Sequence, residues 1–341
     1  MTRITLSLAS LCLCLSGCGA RAMDLDHAAP ATSSDPTDSA AAAVPVVSND
    51  SFESVWVDEL RLYWVASGGY VSRLQSCLKA DCEHTKLTYM QSTKQVQATV
   101  ADGRVYWTSG STFFSCPAEG CQGEPTKVGQ DPSAGATPIF AHRDYVYWTS
   151  DFDIYRCPAQ GCGKTPELVA LNASANRLVF DDTRAYWLSS LGIWSVPSDG
   201  SEPPQLESAR AREGDALESL AIGAGYLYWA AGEGVFRCPI PGCSASASTR
   251  LVTADAPITE LQIDGSALYW LEANALHSCP LSGCEASLTL TPPKVAPGAW
   301  NGWDATKPYA IDAANLYWIQ GLSTPESPLP DRGQSLQKTA K

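Results

Sequence analysis

Residues 139–162 read IFAHRDYVYWTSDFDIYRCPAQGC. A short apolar run is followed by a turn, a Tyr-Trp run, a second turn, a third run and a closing Cys-Pro-x-x-Gly-Cys. Each run is too short for a helix and rich in β-branched or aromatic residues, so each reads as a strand. Versions of this unit recur from about residue 54 to the C-terminus. Tyr-Trp pairs stand at Tyr63-Trp64, Tyr106-Trp107, Tyr147-Trp148, Tyr186-Trp187, Tyr228-Trp229, Tyr269-Trp270 and Tyr317-Trp318. Successive tryptophans are 43, 41, 39, 42, 41 and 48 residues apart. A period of about 40–45 residues with several short strands per repeat is the signature of propeller blades. Seven copies therefore predict an all-β, seven-bladed β-propeller with four-stranded antiparallel blades.

Neighbouring side chains in a strand point to opposite faces. Adjacent Tyr and Trp both need apolar partners only if both faces of the strand are covered, as they are in a blade held between two others. The pairs are accordingly expected to be inter-blade packing rather than stacking platforms for a ligand. The last repeat ends near Gln334–Gln337 with too little chain left for a fourth strand. The spare apolar run Ala43–Val47 is expected to supply it, closing the ring so that no edge is left unpaired.

Thirteen cysteines are present. Ten form five pairs of one spacing: Cys77 with Cys82, Cys116 with Cys121, Cys157 with Cys162, Cys238 with Cys243, and Cys279 with Cys284. Repeat four carries Val196 to Ser201 in the same place, and both cysteines are missing together. Joint presence or absence argues that each cysteine is bonded to the one five positions away, as expected of an exported protein. A closed zinc site would need four converging ligands, and no histidine is placed to complete one. No metal or cofactor is expected.

The three remaining cysteines lie at the N-terminus, in MTRITLSLASLCLCLSGC. Arg3, the apolar run Ile4–Leu15 and small residues make a secretory signal, residues 1–17, too short to span a membrane. Leu15-Ser16-Gly17-Cys18 resembles a bacterial lipobox, which implies lipidation of Cys18 and attachment to the cell envelope through it, at the outer membrane or cell surface. Residues 18–41 are rich in Ala, Ser, Thr, Pro and Asp and read as a flexible tether, leaving 42–341 for the propeller. The formal charge of −13 becomes −14 without Arg3. Lys and Arg are scattered, which argues against a nucleic-acid partner. The chain is expected to be a monomer.

The unit Val146-Tyr147-Trp148-Thr149, with Ile154-Tyr155-Arg156 and Gly161-Cys162, resembles the YWTD repeat of low-density-lipoprotein-receptor-type propellers. Repeat four, with Ala185-Tyr186-Trp187, Ile193 and Asp199-Gly200-Ser201, lies nearest to that pattern. An Asp five residues before the Tyr, at Asp58, Asp181, Asp264 and Asp312, is similar to the family's inner-strand Asp. These carboxylates are expected to accept backbone N–H bonds in the first turn, not to bind calcium. Two departures stand out: that family usually has six blades, and its Asp after Thr is replaced here by Ser109 and Ser150. Bridged turns behind a lipobox also resemble repeat-bearing surface lipoproteins of soil-dwelling proteobacteria, a family that implies no defined activity.

The Asp turns and Cys loops are expected on one face, and the turns after Tyr-Trp with the blade-to-blade connections on the other. One connection, 291–308, accounts for the 48-residue spacing. It carries Trp300, Asn301, Trp303 and Asp304, a set suited to a sugar or a peptide, and loops that depart from a repeat often carry function. No G-x-S-x-G or H-E-x-x-H is present, and isolated groups such as His142 do not form a triad. The sequence reading is thus a non-catalytic binding or protein-interaction scaffold with a glycan or protein partner. The alternatives are a hydrolase or lyase active on the 291–308 face, and a scaffold like the propeller lipoprotein of the outer-membrane barrel-assembly machine.

Overall fold

Each Tyr-Trp run forms the second strand of an antiparallel blade, paired on one side with the inner strand and on the other with the third. The computed structural model describes residues 44–68, 70–131, 137–209, 217–273, 275–284, 288–289, 307–320 and 334–341. Five sheets of four strands and one of seven make up the ring. The seven-stranded sheet is two blades joined by a single strand, Val44–Val57. Its first half pairs with Gln334–Ala340 as the outer strand of blade 7, and its second half pairs with Arg61–Gly68 as the inner strand of blade 1. The N-terminal run therefore closes the ring as expected, though over a longer stretch, with Val44 opposite Lys338 and Asp50 opposite Gln334. Pro45 falls in the outermost strand, where its missing N–H interrupts no inner ladder.

The fourteen residues of the Tyr-Trp pairs are all 5% exposed or less. Their distribution explains why the pair repeats. Among the described residues seven buried clusters occur, and each joins the Tyr of one blade to the Trp of the next: Tyr63 with Trp107, Tyr106 with Trp148, Tyr147 with Trp187, Tyr186 with Trp229, Tyr228 with Trp270, Tyr269 with Trp318, and Tyr317 with Trp64. One residue faces forward and its neighbour backward, as strand alternation requires. The last cluster seals blade 7 to blade 1. Burying one such ring stabilises by a few kcal/mol, about 2–3 by area.

The cysteines pair as their spacing predicts. Cys77 is bonded to Cys82, Cys116 to Cys121, Cys157 to Cys162, Cys238 to Cys243, and Cys279 to Cys284. The two members of a bridge play different parts. The first cysteine of each is a core residue, 2% exposed or less. The second lies in the loop that follows the third strand: Cys82, Cys121, Cys162 and Cys284 are partly buried there and pack against the edge of a core cluster, while Cys243 is itself buried. Each bridge thus ties a loop back onto the interface between blades. In blade 4 the register position of the first cysteine, opposite Ala185, is taken by buried Val196, so the packing is kept where the bridge is not.

The repeated aspartates do what the turn requires, with one exception. One oxygen of Asp181 accepts from the N–H of Thr183 and Arg184 at 2.7 and 2.8 Å, and the other accepts from the Tyr186 hydroxyl at 2.7 Å. Asp58 and Asp312 repeat this with Tyr63 and Tyr317. The tyrosine thus packs one interface and clamps its own blade's turn. Asp264 departs from the pattern, because its turn tightens to Gly265-Ser266 and its carboxylate pairs with Lys341.

The Arg of the Ile-x-Arg element links blades. Arg156 of blade 3 donates to the Ser198 carbonyl of blade 4, and Arg237 of blade 5 donates to the Leu281 carbonyl of blade 6. Lys79, in the first Cys loop, reaches Asp312 of blade 7 at 2.7 Å and the Asp58 carbonyl at 2.8 Å. Cys loops and Asp turns share one face.

Candidate functional site

The inner strands surround an axial channel. Nine residues before each Tyr of a Tyr-Trp pair, at the entrance on the connection face, stand Ser54, Gln97, Pro138, Arg177, Ser219, Glu260 and Pro308. Two opposite charges therefore sit in one otherwise uncharged column. Arg177 on blade 4 extends across the opening to Glu260 on blade 6, where its Nη2 donates to both carboxylate oxygens at 3.1 and 2.9 Å. Its Nη1 donates to Ser219 Oγ of blade 5 at 3.1 Å, and that hydroxyl also accepts from the N–H of Leu261 at 2.9 Å. The pair is 19% and 10% exposed. A well-bonded, partly buried ion pair holds its geometry but gives little net stability against apolar replacements. Its value here is the bar it places across the channel.

Glu260 is aimed by its backbone. Between Thr259, opposite Leu271, and Gln262, opposite Tyr269, the inner strand of blade 6 carries an extra residue. Glu260 takes φ +52° there, a left-handed conformation that costs a non-glycine residue about 1–2 kcal/mol. The buried Tyr309 hydroxyl donates to the Glu260 carbonyl and fixes the bulge. Strain held in place by neighbours is common where a side chain must be presented.

A third charge completes the mouth. Lys307 precedes the inner strand of blade 7, and its backbone is stitched to blade 1. Its carbonyl accepts from the N–H of Val55 at 2.8 Å, and its N–H donates to Ser54 Oγ at 3.1 Å. Among the described residues its ammonium forms no ion pair. Burial and the nearby Arg177 pull its pKa down to about 8, against the pull of Glu260. Arg177, Glu260, Lys307 and Trp56 line a cavity of about 300 Å³ whose deeper wall is apolar. With two cations and one anion, the mouth favours a negative group.

Of the residues singled out in sequence, Trp300, Asn301, Trp303 and Asp304 lie outside the described residues, as does Cys18. The described chain resumes from that connection at Lys307, at the channel mouth. His142 lies on the opposite face, stacked on Phe180 with centroids 4.7 Å apart, its Nε2 buried without a hydrogen-bond partner. Burial and Arg143 lower its pKa. Arg177, Glu260 and Lys307 belong to no recognisable motif, although the fixed nine-residue offset from Tyr would have revealed the first two. Among the described residues no group of three or more His, Cys, Asp or Glu is placed to hold a metal ion.

No protein-family model matches the chain, and no curated protein matches it in sequence. Solved structures do match in shape. An oligogalacturonate lyase in complex with manganese superposes with a TM-score of 0.62 at 11% identity, over 89% of this chain and 94% of that one. The AfRom2 CNH domain gives 0.55 at 11% identity, over 87% and 98%. The WD40 β-propeller domain of Doa1 gives 0.54 at 11% identity, over 87% and 97%. At such identities the likeness speaks for the β-propeller fold alone.

Proposed function

We propose that this chain is a lipid-anchored protein of a bacterial cell envelope whose propeller binds an anionic ligand at the channel mouth and does not turn it over. The observation that carries the binding reading is the residual charge there. Glu260 is engaged by Arg177, whereas Lys307 is left without an ion pair among the described residues beside a cavity of about 300 Å³. A carboxylate or phosphate entering from the connection face would meet two cations in a partly dewatered setting, where charge-assisted bonds are strong.

Anchorage rests on Leu15-Ser16-Gly17-Cys18 behind its apolar run. Replacing Cys18 with Ala should move the protein from the membrane pellet to the soluble fraction and abolish fatty-acid labelling.

A lyase is the second reading, and Lys307 favours it. A lysine titrating near 8 is partly deprotonated at neutral pH and can act as a general base. A propeller of this shape also occurs in an enzyme named for lysis of oligogalacturonate. One experiment separates the readings: oligogalacturonate is titrated into the full chain in detergent, with heat and release of unsaturated product followed together. Saturable heat without product, lost in Lys307→Met, supports a binding protein. Product formation transfers the assignment to a lyase, and neither signal removes the anionic-ligand reading.

A further inference from the structure

A second pocket lies beside the channel mouth, at the junction of blades 3 and 4 on the connection face, with Pro138 of the column in its wall. It is built around the turn Ser150-Asp151-Phe152-Asp153. Ser150 pairs with Asp153, and Asp151 and Phe152 both have positive φ, +51° and +71°. This is the two-residue hairpin geometry that normally selects Asn or Gly. The corresponding turns of blades 2 and 5 place a left-handed Gly110 and Gly232 at the first turn position, where blade 3 has Asp151. Blade 3 has no glycine in its turn and adds a second left-handed residue, Phe152, whose side chain is 61% exposed. Neither backbone preference nor burial accounts for this choice.

The strain is imposed from both sides. The N–H of Ser174 donates to the Phe152 carbonyl at 2.9 Å, and the N–H of Asn172 donates to Asp153 Oδ1 at 2.8 Å. Asn172 and Ser174 are themselves left-handed, at +51° and +48°. Four of the nine non-glycine residues with positive φ in the described chain thus meet at one spot. Such residues cluster where the surrounding structure holds a binding surface ready.

The pocket beside the turn has a volume of about 460 Å³, with Thr137, Ser150, Asn176 and Phe152 in its wall. Two of those groups, Thr137 Oγ1 and Ser150 Oγ, are buried and have no hydrogen-bond partner among the described residues. Buried hydroxyls are normally satisfied, so a pair of orphans on residues that line one pocket calls for an explanation. An exposed aromatic face, unsatisfied hydroxyls, an amide and the nearby Asp151 carboxylate together match one chemistry. The ring packs against the C–H face of a sugar, and the polar groups exchange hydrogen bonds with its hydroxyls. Asp151 disfavours an acidic sugar. A peptide would offer too few hydroxyls to meet this wall.

We propose that this pocket binds one residue of a neutral glycan, with Phe152 as the stacking platform. It shares no lining residue with the cavity at the channel mouth and differs from it in the charge of its ligand.

The full chain, in a zwitterionic lauryl detergent to avoid sugar headgroups, would be titrated with maltohexaose, cellohexaose and chitohexaose, and with a neutral hexapeptide. At least one sugar should saturate, the peptide should not, and Phe152→Ala should weaken the sugar at least tenfold. Phe152→Trp should retain binding, as should Lys307→Met. Phe152→Gly separates a site from a structural role, because it relieves the left-handed strain. It should raise the melting temperature while abolishing sugar binding. The proposal is overturned if none of the three sugars binds, if the peptide binds instead, or if Phe152→Gly binds sugar as the parent does.

Discussion

Raising the pH from 7 to 9 should weaken anion binding at the channel mouth about tenfold. The reasoning starts from Lys307, whose pKa is pulled down to about 8 by burial and by Arg177. Guanidinium groups do not deprotonate in proteins, and burial raises the Tyr309 hydroxyl well above its ordinary value. Lys307 is therefore the cation at the mouth that changes charge in this range. If the ligand requires the ammonium, the apparent dissociation constant is the intrinsic one divided by the charged fraction. That fraction is roughly nine-tenths at pH 7 and one-tenth at pH 9 for a group titrating near 8. The ratio gives the factor of about ten. The sign for the free protein runs the other way. Unfolded lysine titrates near 10.4, so between about 8 and 10 the unfolded chain binds more protons, and the ligand-free fold gains stability as pH rises through that window. The gain is on the order of 3 kcal/mol at most. The assay is ligand titration at half-unit steps from pH 6.5 to 9.5, with melting curves in parallel. Lys307→Arg should flatten both profiles while keeping affinity at pH 7. A parent profile that is flat, or an Arg variant that keeps the same slope, would refute the argument.

The other predictions concern the ring and the bar across it. Deleting residues 42–50 removes the strand paired with Gln334–Lys338 and uncovers the edge of blade 7, so the melting temperature should fall sharply; an unchanged melt would show that the ring does not depend on this closure. Glu260→Gln leaves Arg177 partly buried without its counter-charge and should cost about 3–5 kcal/mol by denaturant titration, whereas Arg177→Met with Glu260→Leu together should cost much less. A double variant as unstable as the single one would mean that the pair itself is needed. Tyr186→Phe removes one of the bonds that hold Asp181 below the ordinary carboxylate range. There burial acts in the opposite direction but is outweighed by the Thr183 N–H, the Tyr186 hydroxyl and the Arg184 N–H. The stability Asp181 contributes is fully present above the unfolded value near 4 and is lost as pH falls through the lower folded value. The variant should lose about 1 kcal/mol at pH 7 and show a smaller further loss on acidification.

The architecture was legible because the physical reason for the repeat is local. Adjacent residues that both demand burial can be satisfied only by a strand covered on both faces, and seven such pairs at near-constant spacing leave little besides a ring of blades. The disulfides were legible because blade 4 loses both cysteines together, and Val196 shows why this loss is tolerated: the core needs an apolar group at that position, and the covalent bond is additional. The sites were harder to read. Arg177 and Glu260 stand 83 residues apart in the chain and meet only when the ring brings blades 4 and 6 to either side of Ser219 on blade 5. Phe152 looks like an ordinary turn residue until its φ of +71° is known. Asp264 matched the spacing of its three counterparts and still departed from them, because a tighter turn removed the N–H groups it would have accepted from.

These observations share a physical cause. A ring of equivalent blades presents the same side-chain column seven times around its axis, and a small ligand there is within reach of several blades at once. Residues that line the lumen carry little of the packing load, which falls on the Tyr-Trp clusters between blades. Unless it breaks the Arg177–Glu260 pair, substitution in the lumen is therefore cheap for the fold, and it would be felt by a ligand bound there. In this chain the column reads Ser, Gln, Pro, Arg, Ser, Glu, Pro, and the two charged members have found each other across the opening with a bulge to aim one of them. The hairpin turns follow the same logic at the rim. Gly110 and Gly232 meet the left-handed first position of their turns without strain, whereas blade 3 has Asp151 there and adds the exposed, left-handed Phe152 beside it. In both places a side chain is held where backbone preference alone would not put it, and that is the ground on which the two binding proposals rest.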